Sequence, residues 1–230
     1  MNYKMKLYRQ NNILLLTISC LLLISCSQKT EDKLGSRVAS LPYYQEASFT
    51  PYWFEKGTTA QKTFHQIPAF RFTNQEGKTI TEATFKDKIY ITDFFFTTCP
   101  GICPKMTANM DILQQEFKDD DEVLLLSHSV TPVMDSVPVL KEYALRKGVI
   151  DGKWNVTTGS KKHIYELARK SYFAVIDEGN GDENDWIHTE QFVLVDKDRR
   201  IRGYYDGTEK KDMKKVIADI ALLKEEYNRK

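Results

Sequence analysis

The chain has 230 residues, with 33 lysine and arginine residues against 32 aspartate and glutamate residues and a formal net charge of +1. Its hydrophobic content of 41% and aromatic content of 12% are enough for a packed core, which excludes a disordered chain. The length fits one domain plus a targeting segment, and the near-zero charge gives no electrostatic basis for nucleic-acid binding.

The first 25 residues have the three parts of a secretory signal peptide. Three basic residues precede an apolar run at 13–24, which is shorter than the about 20 residues that a membrane-spanning helix needs. The run ends in Leu-Ile-Ser-Cys at 23–26, which resembles the lipobox of bacterial lipoproteins. We therefore expect a protein lipidated on Cys26 and anchored on the periplasmic side of a bacterial membrane. An ordinary signal peptide beside a chance cysteine is the alternative.

The remaining chain divides into a tether that becomes an extended segment, 26–62, and a folded domain, 63–230. Alternating residues from Phe70, followed by turn residues at 74–77, predict a hairpin. The other predicted elements are strand 89–96, a helix after Cys103, strand 123–130, helices 137–147 and 161–170, strands 191–196 and 201–205, and a closing helix 212–227. This order favours an α/β fold of thioredoxin-like arrangement, with a central mixed sheet flanked by helices, an N-terminal hairpin and a C-terminal helix.

The cysteine count directs attention to Cys99 and Cys103. Of the four cysteines, Cys20 leaves with the signal peptide and Cys26 carries the lipid, so only this pair remains in an oxidising compartment. Because the loop between them is too short to stabilise the fold, we assign the pair a chemical role. Unpaired N–H groups at the start of the following helix favour thiolates, so the sequence predicts two exposed sulfurs of low pKa. The spacing suits one metal ion bound by both sulfurs and also permits a disulfide.

Two thiolates are soft ligands suited to Cu(I) or Zn(II), and a third ligand is usually imidazole. His65 and His163 are predicted to be surface residues, and His128 a hydrogen-bonded residue of a central strand. His188 follows an acidic stretch at 177–185 and immediately precedes a predicted strand. It therefore lies on a loop that could fold over the cysteines.

Three motifs together resemble the SCO/SenC family over residues 64–227. They are Thr-Thr-Cys-Pro-Gly-Ile-Cys-Pro at 97–104, Trp-Ile-His-Thr-Glu-Gln-Phe-Val-Leu-Val-Asp at 186–196 and Arg-Gly-Tyr-Tyr-Asp-Gly at 202–207. Members of that family are membrane-tethered copper proteins of thioredoxin fold that act in cytochrome c oxidase assembly. The resemblance implies Cys99, Cys103 and His188 as copper ligands. The resemblance also implies a partner, which is the copper-bearing oxidase subunit or another copper or thiol protein. This partner would receive copper, have its cysteines reduced, or both.

One position departs from the family pattern. Many members have an acidic residue after the first Cys-Pro, where this chain has Gly101, so a fixed charge beside the metal is missing. The acidic stretch 177–185 could supply charge, although a solvated surface loop is the favoured interpretation. Met106 and Met110 have helical spacing with later apolar residues and are assigned to the core rather than to a copper site.

Other functions for the same pair stay open. In a copper-independent thiol–disulfide oxidoreductase, Cys99 would attack and Cys103 would resolve. A copper or redox sensor would use the same three candidate ligands. A thiol peroxidase is disfavoured, because the Thr-x-x-Cys arrangement is missing before Cys99.

Overall fold

A computed structural model describes residues 38–55, 57–176, 179 and 186–229, which belong to the unit formed by residues 34–230. The predictions about the signal peptide, Cys20, Cys26 and the acidic stretch lie outside the described residues, apart from Gly179. No helix within the described ranges has the length and apolar character needed to cross a membrane.

The described strands form one mixed sheet. They are β1 Arg71–Asn74, β2 Thr79–Thr81, β3 Ile89–Phe95, β4 Val123–Ser129, β5 Trp154–Thr158, β6 Gln191–Val195 and β7 Ile201–Asp206. Their spatial order is β2-β1-β5-β4-β3-β6-β7. The central strands β3, β4 and β5 run parallel, and the strands on both sides of them pair antiparallel. The carboxyl ends of the central strands, Phe95, Ser129 and Thr158, therefore lie at one edge of the sheet, which we call the carboxyl edge.

Helices cover both faces of this sheet. The α-helices in the described part are α1 Thr59–Thr63, α2 Cys103–Phe117, α3 Val137–Lys147, α4 Lys161–Glu166 and α5 Lys210–Asn228, with a 3-10 turn at Glu82–Phe85 and a π-helical turn at Leu167–Ser171. Alternate residues of β3 enter two separate cores. Ile89 and Ile91 join α2, α3 and α5, whereas Tyr90 joins the β1–β2 hairpin and the turn after α4. Met106 and Met110 are fully buried in the first core, which confirms their assignment.

The predicted architecture is confirmed, and three local features differ from the sequence analysis. Strand β5 was not predicted. Of the helix predicted over 161–170, only Lys161–Glu166 is α-helical, and a π-helical turn follows at Leu167–Ser171. The N–H of Tyr172 donates to the Leu167 carbonyl at 2.7 Å. Helix α1 lies at the end of the segment predicted to be extended, where the Thr58 hydroxyl accepts from the N–H of Gln61.

Helix α3 ends at a glycine in the left-handed conformation. Gly148 has a φ of 73°, and an added Cβ would meet no atom within 4 Å, so only the backbone resists substitution. We expect Gly148→Ala to lower the free energy of unfolding by about 1 kcal/mol, measured as a lower urea midpoint at unchanged slope. Gly101→Ala, at an equally open site without positive φ, is the matched control and should not lower stability. Equal losses in both variants would contradict the backbone explanation.

Candidate metal centre

The cysteine turn, residues 96–103, connects β3 to α2 at the carboxyl edge. Cys103 is the first residue of α2, and Ile102 before it makes no side-chain cap, so the first N–H groups of the helix remain available to the turn. Hydrogen bonding with the backbone of Gly101, Ile102 and Cys103 lowers the pKa of the Cys99 thiol. The turn and the start of α2 therefore favour the thiolate form of Cys99.

The two sulfurs have opposite environments. Cys99 is partly exposed, and although burial opposes its thiolate, hydrogen bonds from the Cys103 thiol and the backbone lower its pKa. Cys103 is 5% exposed, and burial raises its pKa to about 12, with a further contribution from the Cys99 side chain. The prediction of two exposed sulfurs of low pKa is thus wrong for Cys103. Its side chain belongs to the core beneath α2, where a thiolate loses hydration.

A buried carboxyl group influences Cys103 from the sheet. Asp93 on β3 is 2% exposed, and burial raises its pKa to about 7 while a hydrogen bond with Ser127 opposes that shift. Its Oδ1 atom has no hydrogen-bond partner among the described residues. Its charge raises the pKa of both Cys103 and Tyr143. Asp93 was not among the predicted site residues, although an acidic residue within the apolar run 89–96 was a usable signal.

His188 borders the cysteine turn without joining the pair. Its side chain is exposed between the buried residues Ile187 and Thr189. Its ring centroid lies 6.3 Å from that of Phe96, and Trp186 lies against the same Phe96 ring at 6.0 Å. In the part of the chain that the structure describes, no group of three or more His, Cys, Asp or Glu side chains is arranged to hold a metal ion. The cysteines are brought together, and His188 lies at the border of their turn.

The other histidines have partners elsewhere. His128 is fully buried with its Nδ1 3.0 Å from the Thr157 hydroxyl, and burial lowers its pKa to about 3, which confirms a hydrogen-bonded core residue. His65 and His163 are half-buried rather than fully on the surface. His65 contacts the carbonyl of Ser171 through Nε2 at 2.7 Å. The ring of His163 stacks on that of Phe72.

The SCO1/SenC family model matches residues 58–225. The SCO1 protein homolog of Bacillus subtilis (strain 168) is 34% identical over 158 residues, covering 68% of this chain and 81% of that protein. A SCO1/SenC family lipoprotein from Bacillus anthracis str. Ames has a crystal structure with a TM-score of 0.62 at 31% identity, covering 70% of this chain and 95% of that one.

A second solved structure connects the family to redox chemistry. BsSco, described as a member of the Sco family of cytochrome c oxidase assembly proteins with a disulfide switch, has a TM-score of 0.59 at 34% identity. The similarity covers 69% of this chain and 93% of that one. With a family match over most of the described domain, the same thioredoxin-like fold and a cysteine pair at the carboxyl edge, this chain belongs to the SCO1/SenC family.

Proposed function

We propose that this protein binds copper through Cys99, Cys103 and His188 and delivers it to the dicopper centre of cytochrome c oxidase. The observation that carries the proposal is that a partly exposed Cys99 packs against the core cluster containing Cys103, the first residue of α2. Two sulfurs and one imidazole form a soft donor set that suits Cu(I). Membership of a family that includes an oxidase assembly protein supports the recipient.

The buried thiol determines how copper binding responds to pH. Because the pKa of Cys103 is raised to about 12, this sulfur carries its proton at neutral pH and must release it to act as a ligand. Each proton released makes the apparent copper affinity rise about tenfold per pH unit below that pKa. Tight binding therefore draws on the charge of the copper ion to hold Cys103 as a thiolate.

His188 would complete the ligand set by rotating away from Phe96. Its neighbours anchor the main chain, since Ile187 is buried and the Thr189 hydroxyl donates to the Ala174 carbonyl at 2.6 Å. The exposed imidazole is therefore free to change its side-chain conformation while the backbone stays in place. The open space beside Gly101 leaves that side of the cysteine turn unobstructed.

The experiment is a titration of the reduced protein with Cu(I) against a competing chelator. We expect one copper per chain, and we expect His188→Ala and Cys99→Ser each to weaken binding by more than about a hundredfold, beyond what changes next to a ligand produce. His163→Ala is the matched control, because that imidazole stacks on Phe72, and its copper affinity should stay within about twofold of wild type. Copper binding that ignores His188→Ala would contradict the three-ligand site.

A thiol–disulfide oxidoreductase is the second candidate, favoured by the asymmetry of the two sulfurs. The Cys99 thiolate would attack a partner disulfide to form a mixed disulfide, and Cys103 would then attack Cys99 and release the second partner thiol. One partner disulfide is reduced while the Cys99–Cys103 disulfide forms, so two electrons are transferred. An oxidised pair has no thiolates for copper, so both activities share one site. Full reduction rates in His188→Ala, together with weak copper binding, would favour this function.

We further propose that Cys26 carries the lipid that anchors the protein to a bacterial membrane. The Leu-Ile-Ser-Cys sequence at 23–26 supports it, as does the relative from Bacillus anthracis that is described as a lipoprotein. Mass spectrometry of the membrane-extracted protein should show an N-terminal acylated Cys26. An unmodified thiol at that residue would contradict the anchor.

A further inference from the structure

A buried carboxylate joins the cysteine turn to the loop between β4 and α3. Asp135 in that loop is 1% exposed, and four donors converge on its two oxygens. Thr97 supplies two of them, its backbone N–H at 3.2 Å from Oδ2 and its hydroxyl to Oδ1. The hydroxyls of Ser129 and Thr131 donate to Oδ2 as well, the latter at 2.9 Å.

These bonds fix the turn close to its reactive residue. Thr97 lies two residues before Cys99, where the chain has left β3 and has not yet entered α2. Within the turn, the N–H of Cys99 donates to the Phe96 carbonyl at a long 3.3 Å. Hydrogen bonds to a carboxylate are stronger than neutral ones, so two of them at Thr97 restrain this segment more firmly than its own internal contact.

We propose that Asp135 is a positioning residue that holds Cys99 where its sulfur meets that of Cys103. This inference rests on the proposed use of the cysteine pair. Phe95 and Ser129 are register partners at the ends of β3 and β4, and the N–H of Val130 donates to the Phe95 carbonyl at 2.8 Å. Asp135 extends this rigid pairing beyond the end of the sheet and onto the turn. Without it, Cys99 would sample positions from which the two sulfurs meet less often.

The equilibrium between dithiol and disulfide measures this positioning directly. When oxidised dithiothreitol oxidises the protein, the Cys99 and Cys103 thiols lose two protons and two electrons and form one S–S bond. The S–S bond of the reagent is broken at the same time, and its two sulfurs become thiols. Because a disulfide tolerates a narrow range of sulfur and Cβ separations, the equilibrium constant falls when the reduced turn is less well ordered.

The test compares full-length variants of Asp135 in this equilibrium. Asp135→Ala removes all four hydrogen bonds, and we expect the equilibrium constant for disulfide formation to fall about tenfold, which corresponds to a reduction potential about 30 mV higher. Asp135→Asn should remain within about threefold of wild type. Its amide oxygen accepts from the donors at Oδ2, and its NH₂ group can donate to the hydroxyl of Thr97, which accepts as well as donates.

Two further variants separate positioning from stability. Thr97→Val removes only the hydroxyl bond to Asp135, keeps the backbone bond, and should give an intermediate shift even if Asp135→Ala fails to fold. Gln114→Ala is the matched control, since the buried Gln114 side chain loses its hydrogen bonds with Gly148 and Ile150 about 16 Å along α2 from Cys103. It should lower stability and leave the disulfide equilibrium unchanged.

An unchanged equilibrium in folded Asp135→Ala, or in Thr97→Val if that is the variant that folds, would overturn the proposal. An equal fall in Asp135→Asn and Asp135→Ala would also overturn it, because charge rather than position would then be responsible. The measurement contains no copper. If the wild-type protein failed to bind copper, the proposed function would be refuted, while the disulfide equilibrium would still test the role of Asp135.

Discussion

Replacing Arg202 with methionine is expected to lower the free energy of unfolding by about 3–5 kcal/mol. Arg202 on β7 is 3% exposed, and its guanidinium group bonds to Asp196 at 3.1 Å and to Glu226 at 2.7 Å. Asp196 is 1% exposed, and burial raises its pKa even though Arg202 opposes that shift. The substitution leaves this carboxylate buried without its cation, and urea unfolding at neutral pH measures the cost.

The same guanidinium group holds residues 41–43 against β7. Arg202 donates to the carbonyls of Leu41 at 2.8 Å and Pro42 at 3.0 Å. The Cζ atom of its guanidinium group lies 4.0 Å from the centre of the Tyr43 ring. Amide hydrogen exchange at Tyr43 and Tyr44, whose N–H groups donate to the Tyr52 and Ile201 carbonyls, should therefore accelerate in Arg202→Met.

Two companion variants test the cause of the Arg202 effect. Lys78→Met breaks an ion pair with Asp151 in which both side chains are at least half exposed, so the stability should stay within experimental error. Adding Asp196→Asn to Arg202→Met should recover part of the loss, because the uncompensated charge is removed. A double variant no more stable than Arg202→Met would show that the buried charge is not responsible.

We expect the free energy of unfolding of Asp93→Asn, relative to that of wild type, to increase steadily as the pH rises from 4 to 7. Burial raises the pKa of Asp93 from 3.8 to about 7, so the folded protein binds its proton more tightly than the unfolded chain does. The stability contributed by the neutral carboxyl group is complete below the unfolded pKa and is lost as the pH rises through the folded pKa. Asparagine cannot ionise, so it avoids a loss of up to about 4 kcal/mol.

Urea unfolding of the reduced, copper-free protein at about pH 4.5 and pH 8 measures this difference. The wild type is the internal control, since every other titrating group is common to both chains. The advantage of Asp93→Asn over wild type should grow between the two pH values. A difference in unfolding free energy that is the same at both would contradict the raised pKa of Asp93.

The sequence predicted those elements whose apolar pattern is local. The runs at 89–96 and 123–130 correspond to β3 and β4, and helix 137–147 was predicted with the bounds of α3. Strand β5 was missed because several of its buried side chains are polar and form hydrogen bonds with residues distant in the chain. Asn155 accepts from Asn74 at 3.0 Å, and Thr157 bonds to the carbonyl of Ser127. A search for apolar periodicity cannot see such a strand.

The candidate site was predictable in position and not in detail. The cysteine turn at the carboxyl edge follows from a buried strand leading into a helix start. The burial of Cys103, by contrast, depends on the core beneath α2, which comes from several elements. The Asp135 contact joins residues 38 positions apart in the chain. The sequence around Thr97 does not predict Asp135 as its partner, so this restraint on the turn can be identified only from the folded structure.

The strand order has a consequence for how the chain folds. β3 needs β4 on one side and β6 on the other, and β6 follows only after two further helices and β5. Closure is later still, since the N–H of Leu41 bonds to Glu226 across 185 positions. Such non-local pairing slows folding, and a nascent chain that ends before β6 presents an unpaired edge of β3 to other chains. Protection of this edge of β3 from aggregation therefore begins only after β6 has been synthesised.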